Sequence, residues 1–412
     1  MNPWRDLGGL PREVWVLFAA TLVNRAGTMA LPFLVLYLTR RLGYPAGRAG
    51  LILTVYGVSA LVVGPIAGRL SDRFGPLRVM KTSLVLSGLV LLAFPLARGA
   101  GIAVATALLA VTSESFRPAN LSIISSLVAA ERRKAAFALN RLAVNIGMSI
   151  GPALGGLLAT VSFPTLFRVD GATSIAAGII LALSFRRVTT PEETNGAKPG
   201  GAKSDETAEP GKATTFLRRQ FGVFADRRLV YFLAALLPLL LVLFQNESVM
   251  PLFLVRDLGM TEAGYGLMFT INTAIIILLE VPLNTAIAGW PHRRTLVSGA
   301  LLFAAGFGAL ALVNSPAGVA ATVVVWTFGE MILLPGSSAY VADIAPPERR
   351  GEYMGLFTMS FSLAFAVGPW VGTNVYERHG PRAVWLGTLA LGLLSAALLW
   401  RVKHGTEAAA GG

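Results

Sequence analysis

Apolar runs of about twenty or more residues recur along the whole chain, separated by short polar turns and one longer polar stretch. That is the length an α-helix needs to cross the ~30 Å hydrocarbon core of a bilayer. Lipid offers no partner to a backbone N–H or C=O, so each run must close its hydrogen bonds within itself, and only a helix does so in a single segment. Read this way, spans fall at Glu13–Thr39, Ala46–Leu70, Arg78–Ala97, Gly101–Ala129, Ala135–Val161 and Phe163–Phe185. Six more follow at Leu229–Val255, Ala263–Gly289, Arg294–Asn314, Ala317–Asp343, Arg350–Tyr376 and Arg382–Trp400. The expected fold class is an all-α membrane protein with twelve transmembrane helices.

Composition agrees. With 54% hydrophobic and 14% charged residues, the 412-residue chain lacks the polar residues that cover a soluble protein. Its 44 glycines and 23 prolines suit membrane helices, where small residues let backbones approach. The first run, preceded by Pro3 and Pro11, is too long for a signal-peptide core and shows no small-residue cleavage site, so it reads as a permanent span.

A net charge of +13 raises the question of nucleic acid, but the positions of the cations answer it. Lys and Arg gather in loops on one side, leaving only Arg40, Arg41, Arg48, Arg98, Arg168, Arg256, Arg378 and Arg382 on the other. The positive-inside rule then puts both termini and the long polar stretch in the cytoplasm. No cysteine is present, and His292, His379 and His404 lie apart in loops or the tail. Neither a metal nor a cofactor is expected, and no nucleic-acid partner.

The chain divides into a bundle over residues 1–185, a linker over 186–228 and a second bundle over 229–412. The linker stretch Asn195–Thr215 is poor in apolar residues and reads as disordered. Phe216–Arg228 sets Leu217, Phe221 and Phe224 at helical spacing among arginines, the pattern of an amphipathic helix on a membrane surface or of a plain cytoplasmic helix. The two bundles repeat one another at an offset of 217 residues: Pro118 with Pro335, Glu131-Arg132-Arg133 with Glu348-Arg349-Arg350, Gly151-Pro152 with Gly368-Pro369, Gly155 with Gly372, and Pro65 with Pro282. Duplicated halves characterise secondary transporters, whose halves rock about a site near the membrane midplane.

Four motifs point further. Gly68-Arg-Leu-Ser-Asp72-Arg73-Phe-Gly75, between spans 2 and 3, resembles the loop signature of the major facilitator superfamily. Asn145-Ile-Gly147-Met-Ser-Ile-Gly151-Pro152-Ala-Leu-Gly155-Gly156 in span 5 is similar to that superfamily's antiporter motif. Thr327-Phe-Gly329-Glu330 with Pro335 in span 10 resembles bacterial multidrug antiporters in which the glutamate binds protons, and Asn24-Arg25 with Leu31-Pro32-Phe33 resembles span 1 of many bacterial members. The loop departs from the pattern after Gly75, where Pro76-Leu77 precede Arg78. Its second-half copy is reduced to Ala288-Gly289-Trp290-Pro291, and only Arg117 stands near the arginine expected in span 4. The resemblance implies two pseudo-symmetric six-helix bundles, alternating access, and drug:proton antiport in a bacterial inner membrane. It also implies a monomer whose partners are the bilayer, protons and a small amphipathic substrate.

Each motif carries a physical expectation. Asp72 is expected to meet the positive end of a helix dipole, which the resemblance places at the start of span 11 near Gly351. Arg73 and Arg78 would pair across an inner gate, and Gly68 and Gly75 permit the tight turn. Gly147, Gly151 and Gly155 share one helix face where a neighbour comes close, and Pro152 bends the helix, so a packed seam between the halves is expected.

Charges inside the spans are costly in lipid and must face the interior, a partner or water. They are Arg25, Glu114, Arg117, Glu247, Glu280 and Glu330. Glu330 is the first choice for the proton site, with Glu114, Glu247 and Glu280 behind it. Glu114 and Arg117 are expected to pair at three-residue spacing. Arg25, always charged, would bind an anionic group or neutralise a carboxylate such as Glu114. Asp170 and Asp343 read as structural residues near helix ends. Phe33, Tyr37, Tyr56, Phe244, Met268, Phe269 and Trp326 are candidates for an adaptable apolar cavity, most of them for packing. The expected activity is efflux of amphipathic compounds driven by the proton gradient, since no phosphate-binding loop of the ATPase type is present. The rivals are a carrier for a specific anion anchored by Arg25 and Arg117, and a lipid flippase. A membrane enzyme finds no nucleophile–His arrangement to support it.

Overall fold

The computed structural model describes residues 9–128, 132–185, 226–346 and 349–402. The expectations for the disordered linker and for its amphipathic stretch up to residue 225 lie outside the described residues. At the start of the second bundle Asp226 caps the first helix by accepting from the N–H groups of Arg228 and Leu229, and it takes a hydrogen bond from Tyr353 (2.5 Å).

The first bundle runs α1 Arg12–Ala26, α2 Ala30–Leu36, α3 Ala46–Phe74, α4 Pro76–Ala93, α5 Ala100–Glu114, α6 Phe116–Leu127, α7 Arg133–Val161 and α8 Phe163–Ser184. The second runs α9 Arg227–Leu243, α10 Val249–Leu252, α11 Glu262–Ala286, α12 His292–Ala309, α13 Pro316–Ile344 and α14 Arg350–Trp400. Ten helical stretches among the described residues are long and apolar enough to cross a membrane. One of them, α14, has 51 residues, about 77 Å of helix and far more than one crossing. It turns back at Gly380 (φ 79°), followed by Pro381, and so supplies spans 11 and 12. The α5–α6 pair supplies span 4, giving twelve crossings.

Spans 1, 4 and 7, expected as single helices, are broken. A proline removes the N–H that would bond the carbonyl four residues back, and its ring crowds that carbonyl. Pro32, Pro118 and Pro251 act in this way on Thr28, Glu114 and Glu247, and the helix lapses at Gly27–Met29, at Ser115 and over Phe244–Ser248. A proline alone is not sufficient, because Pro152, Pro238, Pro282, Pro335 and Pro369 all lie inside continuous helices. At Pro335 the reason is visible: the freed carbonyl of Met331 accepts from Asn284 Nδ2 (3.2 Å). Thus Pro118 and Pro335, equivalent in the repeat, break one helix and spare the other. The repeat is clearest where spans 1 and 7 end, each in a wide π-turn (Tyr37–Arg41 and Phe253–Asp257) closed by a left-handed glycine, Gly43 (φ 70°) or Gly259 (φ 65°).

The side at which α1 begins and α14 ends is the terminal face, and the opposite side the far face. At the far face the halves are locked together. Arg40 pairs with Glu262 (2.6 Å), and Glu377 Oε2 accepts from the Gly47 N–H at the start of α3 (2.6 Å). Gly57 lets α3 approach the backbone of Phe365 and Ala366. Toward the terminal face, the space beside Gly64 and Gly68 of α3 and beside Gly351 and Gly355 of α14 holds no atom within 4 Å of where a side chain would begin. The expected contact of Asp72 with the start of span 11 concerns a side chain outside the described set, but the glycines around it face open space. Arg73 lies over the Phe74 ring and Arg78 is exposed.

The far-face lock should be separable from folding. Removing one charge of a half-exposed ion pair has a modest effect. In the Glu262→Gln, Glu377→Gln variant, labelling of a cysteine placed at Ser87 by an impermeant maleimide added to the far face should rise roughly threefold. The parent chain contains no cysteine to interfere. Unchanged labelling would show that packing, not these carboxylates, closes this face.

Candidate functional site

The three breaks meet in one place. A cavity of ≈ 300 Å³ lies between them, lined by Arg25 and Thr28 from the first break, Glu114 and Arg117 from the second, and Glu247 from the third. Counting along α1 from the terminal face, Arg25 is thirteen residues in, about 20 Å, which is near mid-bilayer. Among the described residues Glu247 is the one lining residue from the second half; the rest, including Asn24, Tyr56, Ser83, Ser87, Ser113, Asp170 and Ser174, belong to the first.

A break leaves backbone groups that need partners. The N–H groups of Met29 and Ala30, which open α2, donate to Asp170 Oδ2 at 3.0 and 2.8 Å. The sequence places Asp170 near a helix end. It lies instead seven residues into α8, buried, and caps a helix that begins inside the membrane. Asn24 Nδ2 donates to Ser174 Oγ one turn further along α8 (3.3 Å).

Glu114 accepts from Tyr56 Oη (2.9 Å), and the same hydroxyl meets Ser113 Oγ (3.1 Å). The expected Glu114–Arg117 pair does not form among the described residues. The break at Ser115 lies between the two, and Arg117 is exposed where it lines the cavity. Glu114 stands within electrostatic reach of Arg25 on one side and of Glu247 on the other. Three buried atoms of cavity-lining residues have no hydrogen-bond partner among the described residues: Arg25 Nε, Glu247 Oε2 and Ser83 Oγ.

The glycine motif of span 5 builds this site from behind. A Cβ at Gly147 would collide with Arg25 Cβ and stand 2.9 Å from the Ala26 nitrogen; one at Gly151 would stand 2.8 Å from the Arg25 carbonyl oxygen. Gly155 faces Met29 and Phe33. The shared glycine face therefore receives the broken span 1 of the same half, which corrects its assignment to the seam between halves. That seam lies on the next face of α7, where Gly156 meets Glu262 and Ala263, Gly266 meets the Pro152 carbonyl, and Thr270 donates to the Ser149 carbonyl (2.9 Å). Asn145 is half-buried on α7 and lines neither surface through a hydrogen bond among the described residues.

The remaining candidates are elsewhere. Glu330 accepts from Asn272 Nδ2 (3.0 Å), which also reaches Thr327 Oγ1 (3.0 Å); this cluster lies within the second half and does not line the cavity. Gly329, beside it, lets α13 approach Phe303 rather than giving the carboxyl room. Glu280 is ion-paired with Arg141 across the seam. Asp343 sits one residue from the end of α13, on His292 (2.8 Å). Among the aromatic and Met candidates only Tyr56 lines the cavity. Tyr37 packs with Phe94, Phe163 and Phe167, Phe33 with Tyr265, and Trp326 with Phe303 and Phe307. Met268 and Phe269 are buried core residues, and Phe244 lies against Phe365.

The sequence profile of the Major Facilitator Superfamily matches residues 16–253 and 241–411, essentially the whole chain. The chain belongs to the major facilitator superfamily. Its curated relatives include an uncharacterised MFS-type transporter, YqjV, of Bacillus subtilis, 26% identical over 387 residues (92% of this chain, 89% of that one). Multidrug resistance protein 1 of the same organism is 24% identical over 357 residues (85% and 87%). A Na(+), Li(+), K(+)/H(+) antiporter of Planococcus maritimus is 23% identical over 368 residues (84% and 85%). Among solved structures, a peptide transporter POT in complex with sulfate superposes with a TM-score of 0.74 at 17% identity, over 98% of this chain and 100% of that one. A D-xylose-proton symporter gives 0.72 at 14% identity (95% and 97%). These structures share the fold of two six-helix halves. The carrier is a multi-pass membrane protein of the secondary active transport class.

The functional geometry that sequence reading missed consists of partners: Asp170 as a cap, Ser113 and Ser174 as hydroxyls, and the Arg40–Glu262 lock. The available signal for the breaks themselves is a proline four residues after a polar residue in an apolar run, at Thr28–Pro32, Glu114–Pro118 and Glu247–Pro251.

Proposed function

We propose that this carrier is a proton-coupled antiporter that exports small amphipathic solutes across a bacterial inner membrane, with the terminal face in the cytoplasm. The observation that carries this reading is Glu247 of the second half standing opposite Glu114 of the first in one cavity. Two carboxylates within electrostatic reach repel each other, and either a proton or a cationic group on the solute relieves that repulsion. A site that accepts one or the other, not both, exchanges them. Because the pair belongs to different halves, its occupancy acts on how the halves sit, which is what alternating access requires.

On this reading the coupling role passes from Glu330, tied to Asn272 inside the second half, to the Glu114–Glu247 pair. The names of two relatives, a multidrug resistance protein and a cation/H(+) antiporter, favour the same kind of exchange. The proton gradient supplies the free energy, no cofactor takes part, and the monomer suffices because one chain holds both halves. The side bearing most of the Lys and Arg loops is the cytoplasmic one by the positive-inside rule.

The test is accumulation of a fluorescent amphipathic dye that carries a basic group in proteoliposomes under an imposed pH difference. One-for-one exchange gives about tenfold accumulation per pH unit. Glu247→Gln and Glu114→Gln should each bring this to unity while dye still equilibrates. Gradient-driven accumulation that persists in Glu247→Gln would place coupling elsewhere, and its loss in Glu330→Gln alone would restore that residue to the role.

A further inference from the structure

We infer that the cavity selects amphoteric solutes, seating a basic group between Glu247 and Glu114 and an acidic group against Arg25 and Arg117. This rests on the antiport reading only for the direction of movement; the recognition follows from the charges themselves. Four ionisable groups face the cavity without being consumed by the fold. Asp170 is excluded from the count because one of its oxygens holds both the Met29 and the Ala30 N–H groups. Glu114 keeps one oxygen on Tyr56 and leaves the other without a hydrogen bond among the described residues. Glu247 Oε2 and Arg25 Nε are buried with no partner among the described residues, and Arg117 forms no ion pair there.

The order of these groups gives the cavity a direction. Glu247 is within reach of Glu114, Glu114 of Arg25, and Arg25 of Arg117. Glu247 is contributed by the second half, Arg25 and Arg117 by the first, and Glu114 of the first half stands within electrostatic reach of both Glu247 and Arg25. A purely cationic solute that satisfies the carboxylates would sit beside two positive charges, and a purely anionic one beside two negative charges. Like charges brought together in a desolvated site are strongly unfavourable. A molecule with one group of each sign satisfies both ends, and it also supplies the hydrogen bonds that Arg25 Nε and Glu247 Oε2 lack. Leu84, Leu91, Leu109, Phe116 and Met148 also line the cavity and offer an apolar wall to the hydrocarbon part. The volume, ≈ 300 Å³, is at the low end of the ~300–1,000 Å³ of small-molecule sites, which fits compact solutes.

The arrangement also separates two tasks. The carboxylate pair is the part that a proton can occupy, so the basic group of the solute is what the proton displaces. The arginines keep their charge at every physiological pH, so the acidic group is an anchor that the proton does not touch.

Binding to the purified full-length carrier tests this without a gradient. Two amphoteric probes, phenylalanine and an aminoxanthene dye acid, are each compared with their methyl ester, which lacks the acid, and their N-acyl derivative, which lacks the base. Loss of a hydrogen bond to a charged group predicts about tenfold weaker binding of ester and N-acyl forms. Arg117→Gln, in an exposed side chain that leaves packing intact, should bring acid and ester of each pair within about threefold, and Arg25→Lys should retain more of the preference than Arg25→Gln. Glu247→Gln should do the same for acid against N-acyl form. The inference is overturned if esters bind as well as acids in the unmodified carrier, if the preference survives both Arg117→Gln and Arg25→Gln, or if neither acid binds. Gradient-driven flux is read separately: selective binding without it defeats the antiport reading and leaves the selectivity standing, while flux with no preference does the reverse.

Discussion

Asp170→Ala should leave the carrier expressed but markedly less stable in detergent, and without transport, whereas Asp170→Asn should retain most of both. The carboxylate accepts from two backbone N–H groups, at Met29 and Ala30, and both residues are buried. Removing the acceptor strands two buried donors at roughly 1–3 kcal/mol each, so a loss of about 2–5 kcal/mol is expected. The effect is local as well as global, because these donors open α2 and fix where span 1 resumes after its break. If that start shifts, Arg25 and Thr28 shift with it. An asparagine side-chain oxygen occupies the same place and accepts the same bonds without a charge. Thermal unfolding of the three proteins, together with gradient-driven flux, is the measurement. Should Asp170→Asn be as stable as the parent yet unable to accumulate substrate, the carboxyl would have to carry a proton, and capping would not be its main role.

What the amino-acid sequence makes legible is set by the range of the physics involved. Twelve spans follow from the local requirement that lipid-exposed backbone be helical, and the two halves follow from a repeated pattern. The breaks in spans 1, 4 and 7 do not show in hydropathy, since Leu31–Leu36 and Val249–Val255 are as apolar as any helix core. Their prolines are visible, but Pro335, the repeat equivalent of Pro118, leaves α13 intact, and there Asn284, 51 residues earlier, supplies the missing donor. That rescue is tertiary. The same holds for the charges. Arg25, Glu114, Arg117 and Glu247 are picked out as intramembrane charges by cost alone, and the fold brings these four to one cavity. Glu330 and Glu280 are picked out by the same rule and are taken up by Asn272 and Arg141. Cost identifies a buried charge; only the neighbours say whether it is spent on structure or left for a ligand. Arg40 with Glu262 and Gly47 with Glu377 are far apart in the chain, and no spacing rule connects them.

Gly147→Val is the substitution expected to be most damaging outside the charged residues. The glycine face of α7 is legible in the sequence as a place of close approach, and the structure identifies what approaches: the backbone of α1 at Arg25 and Ala26. There is no flexible side-chain end to move aside, since Arg25 Cβ, the Arg25 carbonyl carbon and the Ala26 nitrogen are the nearest atoms. Overpacking of this kind costs about 1–3 kcal/mol when the neighbours can yield and more when they are backbone. The helix that must yield carries the arginine assigned to the acidic end of the solute, and it ends one residue later, at Ala26, just before Gly27. The displacement should therefore fall on Arg25 itself. Binding of an amphoteric probe should weaken about as much as in Arg25→Gln, tenfold or more, even though residue 147 does not line the cavity. Gly64→Val serves as the control, because the space beside Gly64 is open and a Cβ there meets nothing within 4 Å. If both valine variants bind the probe alike, close packing of α7 against α1 does not hold Arg25 in place, and the link between the glycine motif and the binding site fails.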